Sequence, residues 1–129
     1  MATKHTETIR DLLIANTSFP DSQIYNTPFH DQMEDRCVAQ FPQGDDQAPG
    51  HFFYGAESER QKAIQVRLRG PANDFDQAYA DAREIEDALT YEEPTGYMAV
   101  KLRNGPHYLA TDDESRHEFS FNVLAWIIE

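Results

Sequence analysis

A single cysteine, Cys37, stands in 129 residues. That count excludes an intrachain disulfide and leaves nothing that points to an oxidising compartment. No apolar run approaches the roughly 18–20 residues that span a bilayer, and the opening MATKHTETIR lacks the apolar centre of a secretory signal. A protein with no membrane partner, folding in a reducing cytoplasm, is the expectation. Positive charge is equally scarce: 11 Lys and Arg against 23 Asp and Glu leave a net charge of -12. Such a surface offers no basic stripe and repels phosphate, so ordinary nucleic-acid binding is disfavoured and the first role of the charge is solubility. Catalytic signatures are missing too, with no GxGxxG, P-loop, HExxH or CxxC in the chain.

What the chain does hold is apolar and aromatic content sufficient for one packed domain over 1–129, with 40% hydrophobic residues, 8 Phe and 6 Tyr. The stretch 62–90 organises it. KAIQVRLRG alternates like a half-buried strand, placing Ile64, Val66 and Leu68 on one face and Gln65, Arg67 and Arg69 on the other. Gly70-Pro71 breaks the strand, Asn73 is the expected N-cap, and Phe75, Ala78, Tyr79, Ala82, Ile85 and Leu89 form the buried stripe of the helix that follows. Its outward face carries Asp74, Asp76, Asp81, Glu84, Glu86 and Asp87.

Before this unit, residues 3–16 read as a helix with Ile9, Leu12 and Leu13 inward and Thr3 or Thr6 as cap. Residues 23–29 and 36–41 read as strands, the first confined to an edge by Pro28, with Cys37 a small buried hydrophobe. Residues 42–60 form a long irregular loop or arm around Phe52, Phe53 and Tyr54, a triplet that either packs on the core or docks on a neighbouring subunit.

After it, residues 91–96 are a turn and 97–103 a strand with Met98, Val100 and Leu102 on one face. Asn104-Gly105 is the signal of a two-residue hairpin returning through 106–110. The polar run from Thr111 to Arg116 is a loop, and 117–128 is a final strand. On that strand Phe119, Phe121, Val123, Ala125 and Ile127 share one face while Leu124, Trp126 and Ile128 make the other apolar, which implies a central position or a covered second face. The fold class is therefore α+β: a mainly antiparallel (mixed) sheet of about five or six strands with two helices packed on it.

Side-chain chemistry adds little. His5, His30, His51, His107 and His117 are scattered without metal-ligand spacing, and neither His30-Asp31 nor Asp112, Asp113 and Glu114 has the ordered spacing of a calcium loop. No metal, no cofactor and no catalytic residue is expected, which favours a structural or interaction protein over an enzyme.

The succession TETIRDLLIAN, IQVRLRG, the acidic helix ending AREIEDALT, and the closing HYLATDDESRHEFSFNVLAWI resembles the tail terminator and minor capsid proteins of long-tailed bacteriophages over most of the chain. The stretch 42–60 fits least. The resemblance implies a virion protein of the tail-neck region, made in the host bacterial cytoplasm. Such a protein assembles as a closed homo-oligomeric ring, commonly a hexamer, on the last ring of tail tube protein, where it halts polymerisation and meets the head-tail connector or adaptor protein. Two different surfaces of each protomer must then be complementary. Phe52, Phe53, Tyr54, Leu124 and Trp126 are interface candidates that could equally be core, with Arg67 and Arg69 as partners for acids on a neighbouring strand or protomer. Genome DNA would pass through the channel without specific binding, past lumen-facing acids drawn from Asp74, Asp81, Glu84, Asp112, Asp113 and Glu114. Two other readings stand beside this one. A head-tail adaptor or head-closure protein of the neck would assemble on the portal side, and a small cytoplasmic ligand-binding domain would need a pocket of convergent polar groups.

Overall fold

The alternating strand at the centre of the sequence is longer than its pattern suggests. In the computed structural model, which describes residues 5–29, 33–45 and 59–128, strand β2 runs Glu59–Ala72 and leads into helix α2, Phe75–Leu89. Gly70-Pro71 does not end β2. It forms an irregularity inside it, where the register shifts between Arg69 and Ala72. A side chain at position 70 would clash, because its Cβ would lie 2.6 Å from Ala78 Cβ. Glycine there lets strand and helix approach closely.

The expected cap is off by one residue. Asp74 is the N-cap, its Oδ1 accepting from the Gln77 amide at 3.0 Å, while Asn73 takes the left-handed turn at φ 59° and donates its amide to Ser115 O. Both side chains suit either task, since Asn and Asp are good caps and are both enriched among non-glycine residues at positive φ.

Five strands form one sheet in the order β1-β2-β5-β4-β3, and every ladder is antiparallel. Strand β1 is Cys37–Asp45, β3 is Tyr91–Glu92, β4 is Tyr97–Thr111 and β5 is Arg116–Ile128. The final strand is central, as its two apolar faces require. Residues 42–45 and 59–60, read as loop, belong to β1 and β2. The rest of that stretch, with Phe52, Phe53 and Tyr54, lies outside the described residues.

Two sequence expectations for strands fail for local reasons. Residues 23–29 make no strand: a 3-10 turn at Asp21–Gln23 is followed by one parallel bridge, Ile24 to Val38. Asn104-Gly105 makes no hairpin. A type I′ turn needs positive φ at both residues, and only Gly105, at 115°, has it. The chain instead runs on as β4 through register shifts on both sides of Asn104. A Cβ at Gly105 would stand 2.8 Å from Ser120 O, so glycine is needed there for conformation and for space. A further shift between Tyr97 and Ala99 turns Met98 outward and exposed.

The reversal occurs one loop later. Asp112 Oδ1 accepts from the amides of Glu114 and Arg116, and Ser115 adopts φ 63°. This is the side-chain mimicry of a turn that makes Asp common at such corners.

One face of the sheet is sealed by α2 and by α1, His5–Asn16. The core between them joins Ile9 and Leu13 to Ile64, Val66, Leu68, Ile85, Leu89, Val100, Phe121 and Val123, with Leu12 packed against it. Thr6 lies within α1 rather than capping it. The α2 stripe also differs from expectation. Ala78, Asp81, Ala82, Ile85, Ala88 and Leu89 are buried, whereas Phe75 and Tyr79 are exposed.

Candidate functional site

With no catalytic constellation to locate, the surfaces that face away from the core are the candidates. The second face of the sheet carries Gln65 and Arg67 of β2, Asn122 of β5 and Asn104 of β4. They form a short polar ladder in which Asn122 Nδ2 donates to Asn104 Oδ1 at 2.6 Å and Arg67 Nε donates to Gln65 Oε1 at 2.6 Å. The Arg67 guanidinium also lies 4.5 Å above the Phe41 ring, a contact that keeps the cation desolvated but compensated.

Arg69, expected to reach a neighbour's acid, is buried instead. It donates to the carbonyls of Glu34 and Asp35 and lies over Phe29. It thereby fastens the segment around Phe29 and Met33 over the β1 side of this face. Cys37 sits in the same place, fully buried, and that burial pushes its thiol up to about 11, so it packs as an inert hydrophobe.

Leu124 and Trp126 occupy the same face toward the other end of β5. Leu124 is only 8% exposed, so it is core-like within the single chain. Trp126 is half-buried, with the Lys101 ammonium 5.2 Å from its ring centre.

The six acids expected together in a lumen do not share one surface. Asp81 is 3% exposed and forms a two-pronged ion pair with Arg36, Nε to Oδ2 at 2.8 Å and Nη2 to Oδ1 at 2.9 Å. Gln77 donates to it as well, and Arg36 continues to Gln23 and over the Phe19 ring. Bonding to Asp81 raises the Arg36 pKa. This is an internal lock between α2 and the entry to β1, and it removes Asp81 from the outward face. Helical period alone places such an acid in solvent, and it carries no sign of a cation distant in the chain that can reach it.

Glu84 is turned inward to the chain as well, accepting from the Ser18 amide and hydroxyl. Asp74 is exposed at the start of α2. Asp112 and Glu114 gather with Asp35 around Arg116, each 2.8 Å from its guanidinium, while Asp113 is exposed beside them. Burial acts to raise the Asp112 carboxyl, but the bonds from the Arg116 and Glu114 amides and from the Arg116 side chain prevail, and its pKa is lowered.

The arrangement missed by sequence is aromatic. Phe75 stacks on Tyr79 at 6.1 Å and meets Tyr108, His117 and Phe119 edge-on or tilted at 5.2–6.1 Å. Tyr108 bonds to His117 Nδ1 at 2.8 Å. Phe75, Tyr79 and Tyr108 are 44%, 47% and 49% exposed, an apolar patch at the α2 entrance. The helical stripe placed Phe75 and Tyr79 in the core because periodicity gives a face and not the extent of what covers it. Among the described residues no group of three His, Cys, Asp or Glu is placed to hold a metal ion, and no helix is long and apolar enough to cross a membrane.

Comparison with known proteins adds a family. No curated protein matches the chain. The family model described as bacteriophage tail terminator protein matches residues 15–126, a span that takes in α2 and nearly the whole of the five-stranded sheet. A phage tail structural protein associated with the virion follows from this match, and the chain belongs to the bacteriophage tail terminator family.

Proposed function

We propose that this chain forms the ring that closes the head-proximal end of the tail tube. It stops further tube subunits from adding and joins the tail to the head connector, acting by shape and self-association without a bond-making step. The observation that carries the reading is the family match over residues 15–126. The surface chemistry is consistent with it: a polar sheet face with a half-buried Trp126 at one end and an aromatic patch at the α2 entrance are two different surfaces, as a heterologous ring contact needs.

A hexamer is the expected closure, with Arg67 and Trp126 on the contacting sheet face and Phe52, Phe53 and Tyr54 as further contacts. Arg69, Leu124 and Asp81 drop out of the candidate surfaces because each is buried within its own chain. The acids left for a channel wall are Asp74, Asp112, Asp113 and Glu114, with Glu84 half-exposed. With a net charge of -12, a wall of carboxylates lets DNA pass without adhering.

Deleting the gene from a phage that encodes it, then imaging the particles, tests this role. Tubes of uncontrolled length and heads without tails are expected. Normal tails of normal length would refute it.

A further inference from the structure

The aromatic patch at the α2 entrance is rimmed by negative charge. Asp74 and Asp76 flank Phe75, and Asp113 stands in the turn that Asn73 ties to this entrance through its bond to Ser115 O, all three acids exposed. The cations beside them are already opposed, Arg116 by Asp35, Asp112 and Glu114, and Arg83 by Glu86. Elsewhere Phe19, Phe29, Phe41 and Trp126 each carry a cation 4.1–5.2 Å from the ring centre, whereas among the described residues no cation lies over Phe75, Tyr79 or Tyr108. Exposed ring faces inside an acidic rim attract a cation in two ways, through the ring quadrupole and through the carboxylates.

The complement lies on the open face of the same sheet. Lys101, opposite Leu124, is half-exposed beside the half-buried Trp126. One protomer cannot bring the two surfaces together. Phe119, which packs under Phe75 on the face covered by the helices, and Trp126 are fixed in the same strand. They lie about 23 Å apart at roughly 3.3 Å per residue, and the sheet itself stands between their faces.

We propose that Lys101 and Trp126 of one copy dock on Phe75, Tyr79 and Tyr108 of a second copy. This contact rests on the ring reading and deepens it by naming which two surfaces meet. It joins unlike surfaces, so it passes from copy to copy in one direction and can close into a ring. A net charge of -12 opposes random encounters between copies, and a local pairing of opposite sign then fixes where they touch.

Charge exchange tests the contact in the full-length protein, with assembly followed by light scattering and folding by melting temperature. Lys101→Glu and Tyr79→Lys are each expected to weaken assembly roughly tenfold while melting close to the parent. The Lys101→Glu/Tyr79→Lys double variant is expected to recover most of that loss, because opposite charges face each other again. Added salt weakens the parent and the double variant alike. A readout that does not depend on charge comes from Lys101→Cys and Tyr79→Cys, prepared as separate proteins on a Cys37→Ala background. Oxidising their mixture is expected to give a mixed disulfide dimer in excess of the self-linked dimers of either variant alone.

Assemblies that tolerate both single variants and give no mixed dimer overturn the contact and leave the ring reading standing. The same holds if Tyr79→Lys spares self-assembly but abolishes tail attachment in infected cells, which would assign the patch to another virion protein. A chain that stays monomeric at the highest attainable concentration, with no mixed dimer, overturns the contact together with self-association.

Discussion

The two faces of the sheet are built from the same strands and obey different rules. On β5, Phe121 points into the layer sealed by the helices and is fully buried, while its neighbour Asn122 points to the other face and bonds across to Asn104. The first face is held by apolar area removed from water; the second is held by polar pairs that remain in contact with it. The sealed face sets whether the chain folds, and the open face sets what it can meet.

Breaking the sealed face should therefore cost far more than altering the open one. Phe121→Ala is expected to destabilise by roughly 3–5 kcal/mol through lost burial and a residual cavity, whereas Asn122→Ala should cost under about 1 kcal/mol. Urea titrations of the two variants decide it, and equal losses would abolish the distinction between the faces. Next in size is the lock that holds α2 to the sheet entry. Asp81→Ala leaves the Arg36 guanidinium half-buried without its carboxylate, and about 3 kcal/mol is expected to be lost. Restoration in an Arg36→Leu/Asp81→Leu double variant would show that the charge, not the helix, was at fault.

The smallest expected effect sharpens the picture of the open face. Glu118 sits there, and burial first, with repulsion from Asp112 second, raises its pKa above the ordinary 4.5. The folded chain thus holds this proton more tightly than the unfolded one. The stabilising contribution is fully present below pH 4.5 and is lost as pH rises through the raised value. Glu118→Gln should raise the melting temperature by roughly 1–2 °C at pH 7 and leave it unchanged at pH 4. A variant that melts lower at pH 7 would show that the carboxylate is compensated.

Much of the sealed face was legible in the sequence, because alternation at Ile64, Val66 and Leu68 and the two-sided pattern of β5 are direct consequences of period 2. What periodicity could not give was where each element ends and what lies over it. Hence the helical stripe points Phe75 and Tyr79 to the core though both remain nearly half exposed, and the polar face points Asp81 to solvent though Arg36 reaches it. Asn104-Gly105 misled for a different reason. The dipeptide permits a tight reversal, but the Asp112 turn satisfies more backbone donors and leaves β4 and β5 paired over a greater length. The family membership was legible in the order of its segments.

One detail of β4 bears on how a member of the tail terminator family meets other chains. The short β3 accompanies it only at Val100 and Lys101, so from Arg103 onward this rim of the sheet has no strand beside it among the described residues. Such a rim ordinarily invites a foreign strand to zip on, and repeated zipping grows fibres. Here an incoming strand meets Pro106, which has no amide hydrogen to offer, and a backbone whose spacing slips twice within a few residues. The seam is spoiled at its margin, so this rim does not offer itself as a seed for unlimited growth.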